Sequence, residues 1–151
     1  MSKVRVERVN EGQVVAVCIS RERGTAKENV GEGFFEENCG LRGDAHAGTS
    51  RQVSLLMAES VLRVAQEAGV PAQAGDFAEN ILTRGIDLRG LRPGDRLQVG
   101  EGILEVVQIG KEVKPHHYSF HGLRLLPSEG VFGRVVRGGR VRVGDPVRVL
   151  P

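Results

Sequence analysis

The sequence predicts a mainly β protein that folds as one domain of residues 1–151. Valine and glycine are its characteristic residues, with 22 and 21 copies among 151 residues, whereas aromatic residues make up 4%. Short valine-rich segments that alternate with glycine-containing turns are typical of a β-barrel or a β-sandwich. No linker or low-complexity tract divides the chain, and its length suits a single domain with a buried core.

Segments with strand and helix patterns follow one another closely along the chain. The periodicity predicts a helix over Ala58–Ala68, which Gly69 ends in a left-handed conformation and Pro71 prevents from continuing. The segment Arg21–Gly40 is polar and contains glycine, so we expect a long exposed loop there. Apolar runs and alternating patterns predict strands over Gln13–Ser20, Arg51–Leu56, Ile103–Ile109 and Arg140–Val143.

Two later segments resemble each other. Residues 94–99 are Gly-Asp-Arg-Leu-Gln-Val, and residues 144–149 are Gly-Asp-Pro-Val-Arg-Val. Each combines a Gly-Asp turn, in which the aspartate can hydrogen-bond nearby backbone, with an alternating strand. We therefore expect two equivalent strands that begin at the same kind of turn within one sheet.

Charge and hydropathy restrict the location and the partners. The net charge of +2 is too small to predict a nucleic-acid partner. Arginine provides 17 of the 21 basic residues and suits anionic ligands, although an ion-paired surface explains most of these arginines better. No apolar run approaches the roughly 20 residues of a membrane-spanning helix, and residues 1–10 lack the apolar centre of a signal peptide. We expect a cytoplasmic protein in which Cys18 and Cys39 are free thiols.

The densest cluster of glycine and polar residues lies at residues 40–48, Gly-Leu-Arg-Gly-Asp-Ala-His-Ala-Gly. Glycines let a backbone turn tightly and approach a ligand closely. Asp44 and His46 stand two residues apart, so in an extended segment they share a face, and a carboxylate can fix the tautomer of a neighbouring imidazole. The alternative is a structural loop in which Asp44 caps a turn and His46 is exposed.

Two further clusters flank predicted strands. Asn80 follows a Gly-Asp-Phe segment and precedes an apolar strand, where we expect it to hydrogen-bond a neighbouring loop. Residues 129–139 place Arg134 and Arg137 between glycines. This arrangement suits either an anion-binding concavity or a hairpin with solvated arginines, and the sequence does not separate the two.

A last cluster, residues 110–118, follows the strand predicted to end at Ile109 and contains Lys111. His117 and His121 have the spacing of metal ligands on a helix. A nearby proline and glycine oppose a helix, and no paired cysteine supports a zinc site. We therefore predict an exposed polar loop and no metal site.

Taken in order, these clusters resemble the MOSC family, which includes the C-terminal module of molybdenum cofactor sulfurases. The sequence is most similar to the small bacterial members that stand alone or are fused to molybdopterin-processing domains. Each matching stretch is short, but their order and spacing extend over residues 12–149. The stretches are Gly-Asp-Ala-His-Ala-Gly at 43–48, Arg-Gln-Val-Ser-Leu at 51–55, Gly-Asp-Phe at 75–77, Glu-Asn-Ile at 79–81, Ile-Gly-Lys-Glu at 109–112, Gly-Val-Phe at 130–132 and Arg-Gly-Gly at 137–139.

The resemblance implies a closed β-barrel with one main helix and short extra helices. It also implies molybdenum cofactor-related sulfur transfer or molybdopterin binding, in a basic, glycine-lined site where distant loops meet at the mouth of the barrel. In sulfur transfer, a pyridoxal-phosphate-dependent cysteine desulfurase would supply sulfur, which a cysteine holds as a persulfide. The implied protein partner is such a desulfurase or a molybdopterin-processing protein. The implied catalytic residues are Asp44, His46 and Cys39, and the implied cofactor-binding residues are Arg51, Asn80, Lys111, Arg134 and Arg137.

One departure from the family pattern bears on the mechanism. Related members carry cysteines just after the Gly-Lys-Glu segment, where this chain has Val113 and, a few residues on, His117. Valine can neither hold sulfur nor ligate molybdenum, so Cys39 is the remaining candidate for sulfur carriage. Cys18 lies in an apolar strand and is expected to be an inert thiol. The alternative function is a non-catalytic module that binds an anion or docks on a partner protein.

Overall fold

The computed structural model describes residues 11–151. The expectation that residues 1–10 are not a signal peptide lies outside the described residues. The chain forms eleven strands and two helices in this part. They are β1 (Glu11–Ile19), β2 (Glu28–Asn29), β3 (Glu32–Glu36), β4 (Gly40–Leu41), β5 (Val53–Met57), α1 (Ala58–Ala68), β6 (Ile81–Arg84), β7 (Arg96–Val99), β8 (Gly102–Ile109), α2 (Leu126–Glu129), β9 (Val131–Arg137), β10 (Gly139–Arg142) and β11 (Pro146–Val149).

Seven of the strands close into a barrel. Their order around the barrel is β1, β11, β7, β8, β9, β5 and β6, and β6 pairs back onto β1. All neighbours are antiparallel except β5 and β6, which are parallel and are joined by a crossover that contains α1. Parallel neighbours need such a crossover, and closure leaves no free edge along the barrel wall. The prediction of a mainly β, closed barrel with one main helix is confirmed.

Strand alternation divides the buried side chains into two groups. Val53, Leu55 and Val131 belong to the cluster that fills the barrel interior. Successive residues of a strand point to opposite faces, so Leu56 and Phe132 belong to a second cluster on the outer face of the wall. The outer cluster lies beneath α1 and the loops that cover the barrel.

The helix prediction is confirmed with the same bounds, Ala58–Ala68. Gly69 ends α1 in the left-handed conformation with a φ of 70°, and the last backbone N–H groups reach the carbonyls of Ala65 and Gln66. Val61 and Ala65 are buried against the barrel. Neither helix in the described residues has the length and apolarity that a membrane crossing requires.

The two Gly-Asp segments form equivalent turns, as predicted. The Asp95 carboxylate accepts a hydrogen bond from the Arg92 N–H at 2.9 Å, and Asp145 accepts one from the Arg142 N–H at 2.8 Å. The strands that follow, β7 and β11, are antiparallel neighbours in the barrel. The repeated pattern therefore marks two adjacent strands that begin at the same type of turn.

The prediction of one long exposed loop over Arg21–Gly40 is wrong. This segment contributes β2, β3 and the first residue of β4, and β3 joins β10 and β4 in a separate three-stranded sheet. Phe35 is fully buried in the barrel core, whereas its neighbour Phe34 is exposed. This single inward-pointing aromatic residue anchors an otherwise polar segment, which explains why its composition suggested a loop.

Candidate functional site

A cavity of about 320 Å³ lies against the outer face of the barrel. Its inner wall includes Ser54 of β5 and Phe132 of β9, which are cross-strand partners and point away from the barrel interior. Residues from Lys111 to Pro127 provide much of the rest of the lining. Packed side chains fill the barrel interior, so the cavity lies outside the barrel core, next to the end of the barrel at which distant loops meet.

Strand register explains why distant loops meet at this cavity. Ile81 is the partner of both Val17 in β1 and Leu55 in β5, and Val131 is the partner of both Leu55 and Ile109. The ends of β1 and β8 and the starts of β6 and β9 therefore lie at one end of the barrel. The loops at residues 20–27, 73–80 and 110–125 all start or finish there.

The cavity lining is strongly cationic. It contains Arg23, Arg51, Lys111 and Arg124, and no aspartate or glutamate among the described residues. Burial, together with the charges of Arg51 and Arg124, lowers the pKa of Lys111. The lining also includes His46, His116 and His117. Cations gathered without carboxylate partners repel one another, and a bound anion would relieve that repulsion.

Arg124 carries an unused hydrogen-bond donor inside this wall. Its Nη2 donates to the backbone carbonyl of His117 at 3.0 Å, while its Nε is buried and has no hydrogen-bond partner within the described part of the chain. An unsatisfied buried donor costs about 1–3 kcal/mol. Arg51 lies across the cavity wall with its guanidinium carbon 5.9 Å from the centre of the Phe132 ring. Both residues line the cavity, and guanidinium groups bind the oxygen atoms of anionic ligands well.

The remaining lining is apolar and aromatic. Phe77 and Phe132 contribute rings, and Leu125 and Leu126 contribute aliphatic side chains. The covering segment is held to the 73–80 loop by the Tyr118 hydroxyl, which donates to the Asp76 carbonyl at 2.6 Å. An edge-to-face contact between Phe77 and Phe120 adds to this attachment. The cavity thus combines oxyanion-binding cations with a surface suited to a planar ring.

Behind the cavity lies a buried ion pair between Lys27 and Asp44. Lys27 Nζ is 2.8 Å from Asp44 Oδ1, and the two side chains are 1% and 0% exposed. Burial alone would raise the pKa of Asp44, but the hydrogen bond and charge of Lys27 outweigh burial and lower it. Gly75 makes this arrangement possible, because a Cβ there would lie 1.9 Å from the Lys27 carbonyl oxygen.

His46 joins the ion pair to the cavity. Its backbone N–H donates to Asp44 Oδ2 at 3.0 Å, and its ring Nδ1 lies 3.4 Å from Lys27 Nζ. Burial and the charge of Lys27 lower the pKa of His46 to about 4. The imidazole is therefore neutral at pH 7, and its side chain remains 34% exposed on the cavity side.

The Asn80 side chain forms hydrogen bonds to strands of the barrel wall and does not line the cavity. Its Oδ1 accepts from the Ser54 backbone N–H at 3.0 Å, and its Nδ2 donates to the Cys18 carbonyl at 2.9 Å. Asn80 therefore connects β5 and β1 across the start of β6, rather than a neighbouring loop. The adjacent Glu79 is fully buried and accepts N–H groups of Gly75 and Phe77, which shapes the loop that carries Phe77.

Three predicted site residues lie away from the cavity. Arg134 on β9 forms an ion pair with Glu105 on β8, with Nη2 and Oε2 2.7 Å apart. Arg137 is exposed at the end of β9, and Cys39 lies in the turn between β3 and β4. Residues 129–139 do not form a hairpin, because β10 pairs with β3 instead of β9. The structure thus brings His46, Arg51 and Lys111 into the cavity, with Asp44 behind His46.

The sequence analysis missed two residues of the cavity lining, Arg23 and Arg124, and Lys27 behind it. Lys27 and Arg23 come from the segment interpreted as an exposed loop, and nothing in their local sequence distinguishes them. Arg124 had a recognisable pattern, since it stands between Leu123 and Leu125 in an apolar run. An arginine in such a context is often half-buried with its charged end directed into a polar site.

Known proteins share the fold of this chain. The closed barrel is shared with solved structures, of which YuaD from Bacillus subtilis superimposes with a TM-score of 0.75 at 20% identity, covering 92% of this chain and 95% of that one. YiiM from Escherichia coli has a TM-score of 0.65 at 23% identity, covering 93% and 70%. YiiM from Geobacillus stearothermophilus has a TM-score of 0.65 at 18% identity, covering 95% and 75%.

These TM-scores show that the proteins share a fold. The sequence profile of the MOSC domain matches residues 42–148, most of the chain, and the chain therefore belongs to the MOSC domain family. This family is associated with the molybdenum cofactor. A search of curated proteins returned no match. Val113, which stands where the family resemblance implies a cysteine, is exposed and does not line the cavity, whereas His117 does.

Proposed function

We propose that this chain binds an anionic pterin of the molybdopterin class in the outer-face cavity and acts as a binding module. The observation that carries the proposal is the cavity lining, which has four cationic residues and no carboxylate among the described residues. Arg124 and Arg51 are two of these four residues, and guanidinium groups bind the oxygen atoms of anions well.

The residues present fit the organic part of such a cofactor. Arg51, Lys111 and Arg124 would hold its anionic groups, and Phe77 and Phe132 would contact its planar ring. The bound cofactor would supply the redox and sulfur chemistry of its metal end. The described cavity lining contains no cysteine, so the chain would contribute binding and orientation, and no thiolate ligand.

Calorimetric titration with molybdopterin and, separately, with inorganic phosphate tests this proposal. Lys111→Met and Arg124→Met should each weaken binding about 10–100-fold, the value of a lost hydrogen bond to a charged group. Raising the salt concentration should also weaken binding, since screening reduces the attraction of the cations. Arg92→Met, which alters an exposed arginine outside the cavity lining, is the matched control. Binding that neither cavity variant changes would reject this location.

Sulfur carriage on Cys39 is a second candidate. Cys39 is half-buried, whereas Cys18 is fully buried with a pKa raised to about 12 by burial, and the Cys39 carbonyl accepts the Gly48 N–H at 2.8 Å next to the His46 loop. A cysteine desulfurase would then be the sulfur-donating partner. Incubation with a desulfurase and isotopically labelled cysteine, followed by intact mass measurement, should add sulfur to the wild type and none to Cys39→Ser. An unchanged wild-type mass would exclude this function.

A further inference from the structure

We propose that Lys27 holds His46 as the neutral tautomer with its proton on Nε2, so that His46 offers an N–H donor to the cavity ligand. Lys27 is thus a positioning residue, and His46 is the group that touches the ligand. The inference rests on the proposed binding function only for the identity of that ligand. The tautomer is a property of the protein itself and can be measured without any ligand.

The three N–H donors of the Lys27 ammonium group match the three acceptor atoms around it. An ammonium group has three N–H donors and no acceptor. Three acceptors surround Lys27 Nζ: Asp44 Oδ1 at 2.8 Å, Ser20 Oγ at 3.0 Å and His46 Nδ1 at 3.4 Å. Ser20 Oγ uses its own proton on the Glu22 carbonyl at 2.9 Å, so it can accept from Lys27. His46 Nδ1 must likewise face Lys27 with a lone pair.

The opposite tautomer has no partner for its proton. A proton on Nδ1 would have to be donated to Asp44 Oδ2, which is 3.8 Å away and beyond hydrogen-bond distance. That oxygen already accepts the His46 backbone N–H at 3.0 Å. A proton on Nδ1 would also point toward the ammonium group of Lys27. Geometry and charge therefore both favour the tautomer in which Nδ1 carries no proton and Nε2 carries the ring proton.

The charges that face His46 disfavour its doubly protonated form. Lys27 and Arg23 come from the loop after β1, Lys111 comes from the segment after β8, and the single opposing charge among these groups is Asp44 from its own loop. The Asp44 charge is already balanced by its ion pair with Lys27. Burial and these charges together lower the pKa of His46 to about 4.

The tautomer restricts what the cavity can bind and do. With Nδ1 occupied by Lys27, the one nitrogen left for a ligand is Nε2, and it carries a proton. The ligand should therefore present a hydrogen-bond acceptor, such as an oxyanion or a carbonyl oxygen, at this position. A neutral imidazole with this tautomer cannot accept a proton at Nε2, so His46 serves as a donor to the ligand instead of a general base.

Nitrogen-15 NMR of the ligand-free wild type tests the tautomer directly. The His46 ring signals are assigned by their loss in His46→Gln. We expect an unprotonated Nδ1, a protonated Nε2 and no titration of His46 between pH 5.5 and 8. A proton on Nδ1, or a titration midpoint near the ordinary value of about 6.5, would overturn the proposal.

Lys27→Gln tests the positioning role, because it removes the ammonium group while keeping a polar side chain. If this variant folds, the His46 titration midpoint should rise from about 4 but stay below about 6.5, because burial still lowers it, and both tautomers should be populated. Lys114→Gln, in the exposed loop after β8, should leave the His46 signals unchanged. An unchanged His46 in folded Lys27→Gln would contradict the role of Lys27. If Lys27→Gln does not fold, the wild-type tautomer decides the proposal.

Phosphate titration tests the donor to the ligand. His46→Gln keeps an N–H donor near the position of Nε2 and should bind inorganic phosphate within about threefold of the wild type, whereas His46→Phe should bind about tenfold more weakly. Equal losses in both variants would refute a specific donor role. If the wild type binds neither phosphate nor molybdopterin, the proposed function fails, and the NMR result still decides the tautomer.

Discussion

Positive charge is arranged differently on the barrel surface and in the cavity. On the surface, arginines form ion pairs with carboxylates: Arg134 with Glu105 at 2.7 Å, and Arg42 with Glu36 at 2.6 Å. The cavity instead gathers cationic side chains with no carboxylate in its described lining. Ion pairing thus accounts for many surface arginines, as the composition suggested, and the unpaired cations identify the site.

This difference separates charges that stabilise the fold from charges reserved for a ligand. A paired surface arginine contributes little energy, because water competes for both partners. Like charges in a half-buried wall destabilise the ligand-free protein, which is a common cost of a binding site. The Lys27–Asp44 pair belongs to neither group. It is fully buried and orders the loops that present His46.

The largest effect should come from breaking the buried pair. Lys27→Met leaves the Asp44 carboxylate buried without its cation, and we expect a loss of about 3–5 kcal/mol in the free energy of unfolding. Urea denaturation followed by circular dichroism measures this loss. Lys114→Met, a change of the same side chain in an exposed loop, is the control and should alter stability by less than about 0.5 kcal/mol. A loss below about 1 kcal/mol in Lys27→Met would show that the pair does not hold these loops.

A second prediction contrasts Asp44 with Glu79, a buried carboxylate that has backbone N–H partners and no ion pair among the described residues. Burial raises the pKa of Glu79 to about 7, despite these hydrogen bonds. Between about pH 4.5 and 7 the Glu79 carboxyl group is ionised in the unfolded chain and protonated in the folded protein. The contribution of Glu79 to the free energy of unfolding therefore falls as pH rises. The accumulated loss is about 3 kcal/mol.

Glu79→Gln should remove that pH dependence. The lowered pKa of His46 has the opposite effect. Between about pH 4 and 6.5 this histidine is protonated in the unfolded chain and neutral in the folded protein, so its contribution to stability rises with pH. The difference between the Glu79→Gln and wild-type unfolding free energies, measured by urea denaturation from pH 4.5 to 8, isolates Glu79. The exposed Glu67→Gln should run parallel to the wild type. A difference in unfolding free energy that stays constant with pH would contradict a raised pKa of Glu79.

The sequence predicted the features that depend on neighbouring residues or on short motifs. Helix α1 was predicted with its observed bounds because its periodicity and its terminal Gly69 are local. The equivalent turns at Asp95 and Asp145 were predicted for the same reason. The family motifs also pointed to His46 and Lys111, because each motif places its polar residue in a loop next to a strand end.

The rest depended on strand register and on which face of the wall is covered. Arg134 and Lys111 look alike in sequence, each beside glycine, yet the pairing of β8 with β9 gives Arg134 a carboxylate partner while Lys111 enters the cavity. Lys27 stands in a polar segment of the sequence, and its backbone N–H donates to the Gly75 carbonyl in a distant loop. This contact between distant loops cannot be read from the local sequence. No local pattern distinguishes these outcomes.

A smaller and opposite effect should follow from removing one unpaired cation. Lys111→Met relieves repulsion with Arg51 and Arg124, so we expect the ligand-free protein to gain about 0.5–1 kcal/mol in unfolding free energy at low salt. The gain should shrink as salt screens the charges. Urea denaturation at two salt concentrations measures it. A loss of stability at low salt would mean that Lys111 is part of the structural framework, and the distinction between surface and cavity charge would fail at this residue.

The smallest effect should come from the surface pair, which also tests the predicted cofactor-binding role of Arg134. Arg134→Met removes a half-exposed ion pair with Glu105 and should cost no more than about 1 kcal/mol in unfolding free energy. Its affinity for inorganic phosphate, measured by calorimetry beside Lys111→Met, should stay within about twofold of the wild type, because Arg134 does not line the cavity. A tenfold loss in Arg134→Met would extend the binding surface along β9. Bound anions would then compete with Glu105 for this arginine, and surface pairing would no longer exclude a binding role.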